Sequence, residues 1–122
     1  MGDRAVIIVT NNNGDAPVAM YLHNGGCGVG ALLAEAAPKM RAGDADYARA
    51  RLCGVAHERS GGILGLGLFA GPKDLEPATL KNFSHGDAGV FVVNVDTGDV
   101  ETFGGYGWGG NAPALPLRLC AV

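Results

Sequence analysis

The sequence lacks the features that mark several large classes of protein. No uninterrupted apolar stretch approaches the roughly 18 residues of a membrane-spanning helix, so we predict no membrane partner. Neither G-x-S-x-G nor H-E-x-x-H is present, and the three histidines lack metal-ligand spacing, so we expect no metal and no cofactor. Charged residues make up only 17% of the chain, with a net charge of −3 and no continuous basic face, which disfavours a nucleic-acid polymer as partner.

Cysteine is also scarce. The three cysteines, Cys27, Cys53 and Cys120, cannot all pair within one chain, and none has the C-x-x-C spacing of a zinc or redox motif. Residues 1–9 lack the apolar stretch and cleavage site of a signal peptide. We therefore expect reduced thiols and a cytoplasmic location.

Glycine, by contrast, is abundant. The 21 glycines in 122 residues are more than twice the usual share of about 7%, and they cluster at residues 25–30, 61–67 and 104–110, each beside a predicted strand or helix end. A chain of this length with 48% apolar residues suits a single domain over residues 1–122. Within it, residues 104–112 form a glycine-rich aromatic loop.

The pattern of apolar residues predicts an α+β fold in the order ββαα-βββ, with a mainly antiparallel sheet and two helices packed on one face. Pro38 should kink or end the first helix, and Asp44 should cap the second. The predicted strands cover residues 5–9, 17–22, 63–69, 89–96 and 99–103, and the helices cover 31–37 and 44–56. Residues 75–83 are ambiguous, with a short helix as one option, and residues 115–122 can add an edge strand.

A family resemblance begins at residues 18–26, Val-Ala-Met-Tyr-Leu-His-Asn-Gly-Gly. This segment resembles an uncharacterised group of small phage and prophage proteins with the pattern apolar-Tyr-x-His-Trp-Gly-Gly, a helical segment, a Gly-Tyr-Gly-like strand and a Val-Val-Asp-Val-Asp hairpin. Residues 65–67 and 92–96 hold the matching places, although Asn24 replaces the usual Trp and Asn94 a frequent Asp. The resemblance implies a mobile-element origin, a host-cell cytoplasmic location and, by analogy, a counter-defence role such as trapping a nucleotide immune signal.

The strand-to-helix junction at residues 21–30 is the strongest candidate site. A helix start exposes unpaired N–H groups and a favourable dipole, so a phosphate can sit there, approached by glycine backbone and by His23 or Asn24. Alternatively, these glycines only permit a tight turn. Tyr106 and Trp108 can stack on a base or cover the edge of the core. The predicted ligand-binding residues are Tyr21, His23, Asn24, Gly25, Gly26, Gly28, Tyr106 and Trp108.

Three functions remain open. The first is a homo-oligomeric protein that binds a small nucleotide-like ligand without turnover and has no catalytic residue. The second is a small hydrolase or transferase that uses His23 with Cys27 or His85; the helix start is expected to lower the pKa of Cys27. The third is a structural or protein-inhibiting factor. We interpret Arg59 as a charge that complements the end of the second helix.

Overall fold

The computed structural model describes residues 3–59, 65–84 and 86–120, which form five strands and three α-helices. The predicted α+β class with a mostly antiparallel sheet is confirmed. Short 3-10 turns at Gly26–Gly28 and Ala37–Lys39 lie on either side of the first helix. In chain order the elements are β1 (Ala5–Thr10), β2 (Val18–Leu22), α1 (Val29–Ala36), α2 (Ala45–Arg59), β3 (Leu66–Ala70), α3 (Pro77–Phe83), β4 (Gly89–Asn94) and β5 (Val100–Phe103).

The sheet has the order β3-β2-β1-β4-β5. β1 pairs antiparallel with β2 and parallel with β4, and the other two pairings are antiparallel. All six residues of β1 are buried, because an uninterrupted apolar strand needs cover on both faces. The first strand of the chain is therefore the centre of the sheet.

The two faces of β1 support two separate cores. Ile7 and Val9 pack with α1 and α2, whereas Val6 and Ile8 pack with Leu80 of α3. The prediction of two helices on one face is confirmed for α1 and α2. The third helix, which the sequence left ambiguous, covers the opposite face.

Local signals fix the ends of the first two helices. α1 ends at Ala36, and Pro38 lies in the 3-10 turn that follows, as predicted. The carboxylate of Asp44 accepts a hydrogen bond from the N–H of Tyr47 at 3.1 Å, which confirms this residue as the cap of α2.

The edge strand that residues 115–122 could have added is not formed over residues 115–120; residues 121–122 lie outside the described part. This segment runs without a ladder, apart from one isolated bridge between Cys120 and Arg41. Pro116 removes one of the donors that a strand would need. Residues 63–64 of the predicted third strand also lie outside the described residues. In the described ranges, no helix is both long and apolar enough to span a bilayer.

Candidate functional site

The junction between β2 and α1 is a tight turn held against the N-terminal segment. Gly25 has φ of +99°, a left-handed conformation that favours glycine. Gly26 is buried, and a Cβ there would come within 2.7 Å of the Ala88 Cβ and 2.8 Å of the Asp3 carbonyl oxygen. Glycine is not required at position 28, because φ is −97° there and an added Cβ would have no neighbour within 4 Å.

The N–H groups of this turn have partners within the protein. The Gly26 N–H donates to the Asp3 carbonyl at 2.7 Å, and the Gly28 N–H donates to the Gly25 carbonyl at 2.9 Å. The Cys27 N–H donates to the Asp3 carboxylate at 2.9 Å. The expectation of unpaired donors is therefore wrong for these three groups. Just before α1 begins, the Asp3 carboxylate, an anion of the protein itself, accepts from the Cys27 N–H.

The glycine-rich aromatic loop, residues 104–112, packs against the same junction. The Tyr106 hydroxyl donates to the Asp3 carboxylate, and the Asn111 side-chain amide donates to the Cys27 carbonyl at 3.2 Å. Tyr106 is 49% exposed. Trp108 covers the core. Its ring centre lies 4.9 Å from that of Phe91, and it packs against the core residues under α1 and α2.

Tyr21 lies on the opposite face of the sheet from Trp108. Tyr21 faces Val6 across the sheet and packs on the α3 side, and its hydroxyl lies 2.8 Å from His23 Nδ1. Nearby, Arg4 Nε donates to the Asp87 carboxylate at 2.7 Å, which lowers the pKa of Asp87. The pKa of Arg4 is raised, mainly by Asp87 and to a smaller extent by Tyr21. No local sequence pattern pointed to this ion pair.

The pKa of the Cys27 thiol is shifted in the opposite direction to the one predicted. A hydrogen bond to the Asp3 carboxylate, together with its negative charge, raises the pKa of Cys27 above its ordinary value. Thiolate formation at neutral pH is thereby suppressed, which weakens the case for a nucleophile. His85, the other predicted partner, lies outside the described residues.

We expect alkylation of Cys27 by iodoacetamide to follow a pH–rate profile whose midpoint lies above that of free cysteine, because the thiol must lose its proton beside a carboxylate. Asp3→Asn removes that charge and should shift the midpoint to lower pH. Peptide mass spectrometry can follow Cys27 and the exposed Cys120 in one sample, and Cys120 serves as the control. A wild-type midpoint at or below that of free cysteine would contradict the assignment.

A cavity of about 210 Å³ lies between the junction and the end of α2. Its lining combines three apolar side chains, the backbone of two glycines, the side-chain amide of Asn24 and the guanidinium of Arg59. Arg59 also donates to Glu35 at 2.8 Å, and both side chains are partly exposed. Three of the lining residues, Asn24, Gly25 and Gly28, were predicted from the sequence. Arg59 was missed, because its charge was interpreted as complementing the end of the second helix. The lining residues are Leu22, Asn24, Gly25, Gly28, Leu32, Ala56 and Arg59.

A larger cleft of about 690 Å³ lies beyond the opposite end of β1. It is less suited to an anion, because four carboxylates face two cations, and Arg49 is already bonded to Asp46 and to the Val9 carbonyl. The charged lining residues are Asp15, Asp44, Asp46, Arg49, Lys73 and Asp74.

The fold and the site together define a small α+β domain with an apolar cavity at a strand-to-helix junction, faced by one guanidinium. Comparison with protein-family models, curated proteins and solved structures finds no match for this chain. In the described ranges, no cluster of three or more His, Cys, Asp or Glu side chains is placed to hold a metal.

Proposed function

We propose that this protein binds a small nucleotide-like anion, without turnover, in the cavity between the junction and the end of α2. The observation that supports the proposal is that Arg59, Asn24 and Gly28 line one cavity together with apolar side chains. Small-molecule sites typically combine a mostly apolar lining with a few polar groups that fix orientation. A guanidinium suits a phosphate, and the apolar floor suits a ring.

Each part of the lining has a distinct role in this proposal. Arg59 pairs with a phosphate oxygen in place of, or together with, Glu35. Asn24 donates from its side-chain amide, and Gly28 lets the ligand approach the backbone at the start of α1, where the helix dipole favours negative charge. Leu22 and Leu32 contact the apolar part of the ligand.

We further propose that binding serves to sequester the ligand, which we take to be a nucleotide immune signal. The resemblance of residues 18–26 to a phage and prophage group supports this role. Binding without chemistry is supported by the Cys27 thiol, whose pKa is raised beside Asp3.

The test begins with purified protein that is denatured, after which mass spectrometry identifies any released small molecule. In parallel, a panel of cyclic and ADP-ribose-type nucleotides is screened for its effect on Tm. A ligand at 100 times its Kd stabilises by about 2.7 kcal/mol. For a domain of this size, that is a Tm rise on the order of 10 °C.

The outcomes separate the three functions. A ligand that raises Tm and is returned unchanged supports sequestration, whereas a ligand returned as a product supports the hydrolase or transferase. An empty protein whose Tm no nucleotide raises contradicts the proposal and favours a structural or protein-inhibiting factor.

A further inference from the structure

β3 lies at one edge of the sheet, and its register shows which backbone groups face outward. The His23 N–H donates to the Gly65 carbonyl at 2.8 Å, and the Gly71 N–H donates to the Pro17 carbonyl at 3.0 Å. In an antiparallel ladder, hydrogen-bonded residues alternate along the strand. The odd-numbered residues of β3 therefore bond to β2. The N–H and C=O groups of Leu66, Leu68 and Ala70 point away from the sheet.

We propose that two copies of this chain pair through β3, antiparallel, about a two-fold axis at Leu68. In that register Leu68 faces Leu68 of the second copy, and Leu66 faces Ala70. Every outward-facing N–H and C=O group of these residues then meets a complementary group on the other copy. The two five-stranded sheets become one continuous sheet. The edge is thus self-complementary, as an isologous dimer requires.

The side chains of this edge favour the same arrangement. Residues 65–71, Gly-Leu-Gly-Leu-Phe-Ala-Gly, include no charge and no proline, the devices that usually protect an edge strand. Leu68 is 60% exposed and lies on the same face as its β2 neighbour Met20, so the two Leu68 side chains would contact each other across the axis. No like charges would oppose each other along this strand.

The opposite edge of the sheet gives a contrast within the same molecule. β5 carries an exposed Glu101 and follows Asp99 directly. Pairing of two β5 strands would bring these carboxylates near each other, which costs free energy. β3 is therefore the edge suited to a second copy. Because one five-residue strand gives a small interface, we expect a concentration-dependent dimer.

Sedimentation velocity over a concentration series tests the proposal. The mass of the wild type should rise from 12.4 kDa towards twice that value as concentration increases. Leu68→Lys places two like charges at the axis and should remain monomeric, with its fold checked by circular dichroism. Thr102→Lys, a matched change at an exposed position of β5, should still dimerise. A wild type that stays monomeric, or a Leu68→Lys variant that dimerises like the wild type, overturns the proposal.

Disulfide trapping tests the register without relying on a disrupted dimer. Directly opposed, hydrogen-bonded residues have Cα atoms about 5.5 Å apart, within the range that a disulfide spans. With Cys27 and Cys120 changed to Ser, Leu68→Cys should form an interchain disulfide on mild oxidation, whereas Leu66→Cys should not. Equal cross-linking of both variants, or of neither, contradicts the two-fold axis at Leu68. The test needs no ligand, so its failure is independent of the proposed function.

Discussion

Replacing Arg59 with Gln is expected to weaken binding of the nucleotide selected by the thermal-shift panel by roughly 10- to 150-fold. The range follows from about 1.5–3 kcal/mol for a hydrogen bond to a charged group, with each 1.4 kcal/mol equal to a factor of ten. Arg59 is the guanidinium that lines the cavity, and the variant keeps hydrogen-bonding capacity while removing the charge. Isothermal titration calorimetry gives the change in Kd directly.

Arg51→Gln is the matched control for this experiment. Arg51 lies on the same helix, and its guanidinium stacks on Tyr47, 4.6 Å from the ring centre and outside the cavity lining. Both variants change the net charge by the same amount. If the two weaken binding equally, the effect is general electrostatics and the assignment of the cavity is wrong.

Gly28→Asp tests the same cavity at a second lining residue. The backbone at Gly28 accepts a side chain without strain, and an added Cβ meets open space. The new carboxylate should therefore repel an anionic ligand while leaving Tm close to that of the wild type. Gly28→Ala, which adds no charge, should retain more binding than the aspartate. Loss of binding without loss of stability separates the site from the fold.

Phe91→Ala is expected to lower the free energy of unfolding by about 3–5 kcal/mol, the usual cost of deleting a fully buried aromatic side chain. Phe91 is completely buried in β4, and its ring contacts the ring of Trp108. Small domains are stable by only about 5–15 kcal/mol in total, so the variant should unfold at much lower urea concentration. Trp108, the single tryptophan, reports the transition by fluorescence.

Leu115→Ala is the control, because this leucine is 42% exposed and should change the free energy of unfolding by only about 0.5 kcal/mol. A cost below about 1 kcal/mol for Phe91→Ala would contradict the packing of β4 against the aromatic loop. Such a result would also remove the basis for assigning Trp108 to the core.

Asp3 is the reason that a ligand is better placed in the adjacent cavity than at the backbone amides of the junction. Its carbonyl and carboxylate together accept hydrogen bonds from Gly26, Cys27 and Tyr106. These bonds hold the N-terminal segment, the junction and the aromatic loop together. A ligand phosphate at the same amides would have to displace a carboxylate that already accepts from the Cys27 N–H and the Tyr106 hydroxyl, whereas the cavity beside Arg59 is open.

The sequence by itself determined the features that depend on neighbouring residues. The β-branched residues of 5–9 and 89–93 indicated strands, Pro38 ended a helix, and Asp44 capped the next one. Each signal is local, because backbone sterics and capping act within a few residues. The α+β class followed from the order of these elements.

Only the tertiary structure decided which distant residues meet. β1 became the central strand because β4 pairs with it in parallel after a long connection, and no local pattern encodes that pairing. The same holds for the ion pair of Arg4 with Asp87 and for Arg59 and Asn24, which line one cavity. The sequence led us to expect unpaired N–H groups at residues 26 and 27, but the folded chain places Asp3 within hydrogen-bonding distance of both. Local propensity can place a helix start, whereas the partner of its N–H groups depends on how the whole chain packs.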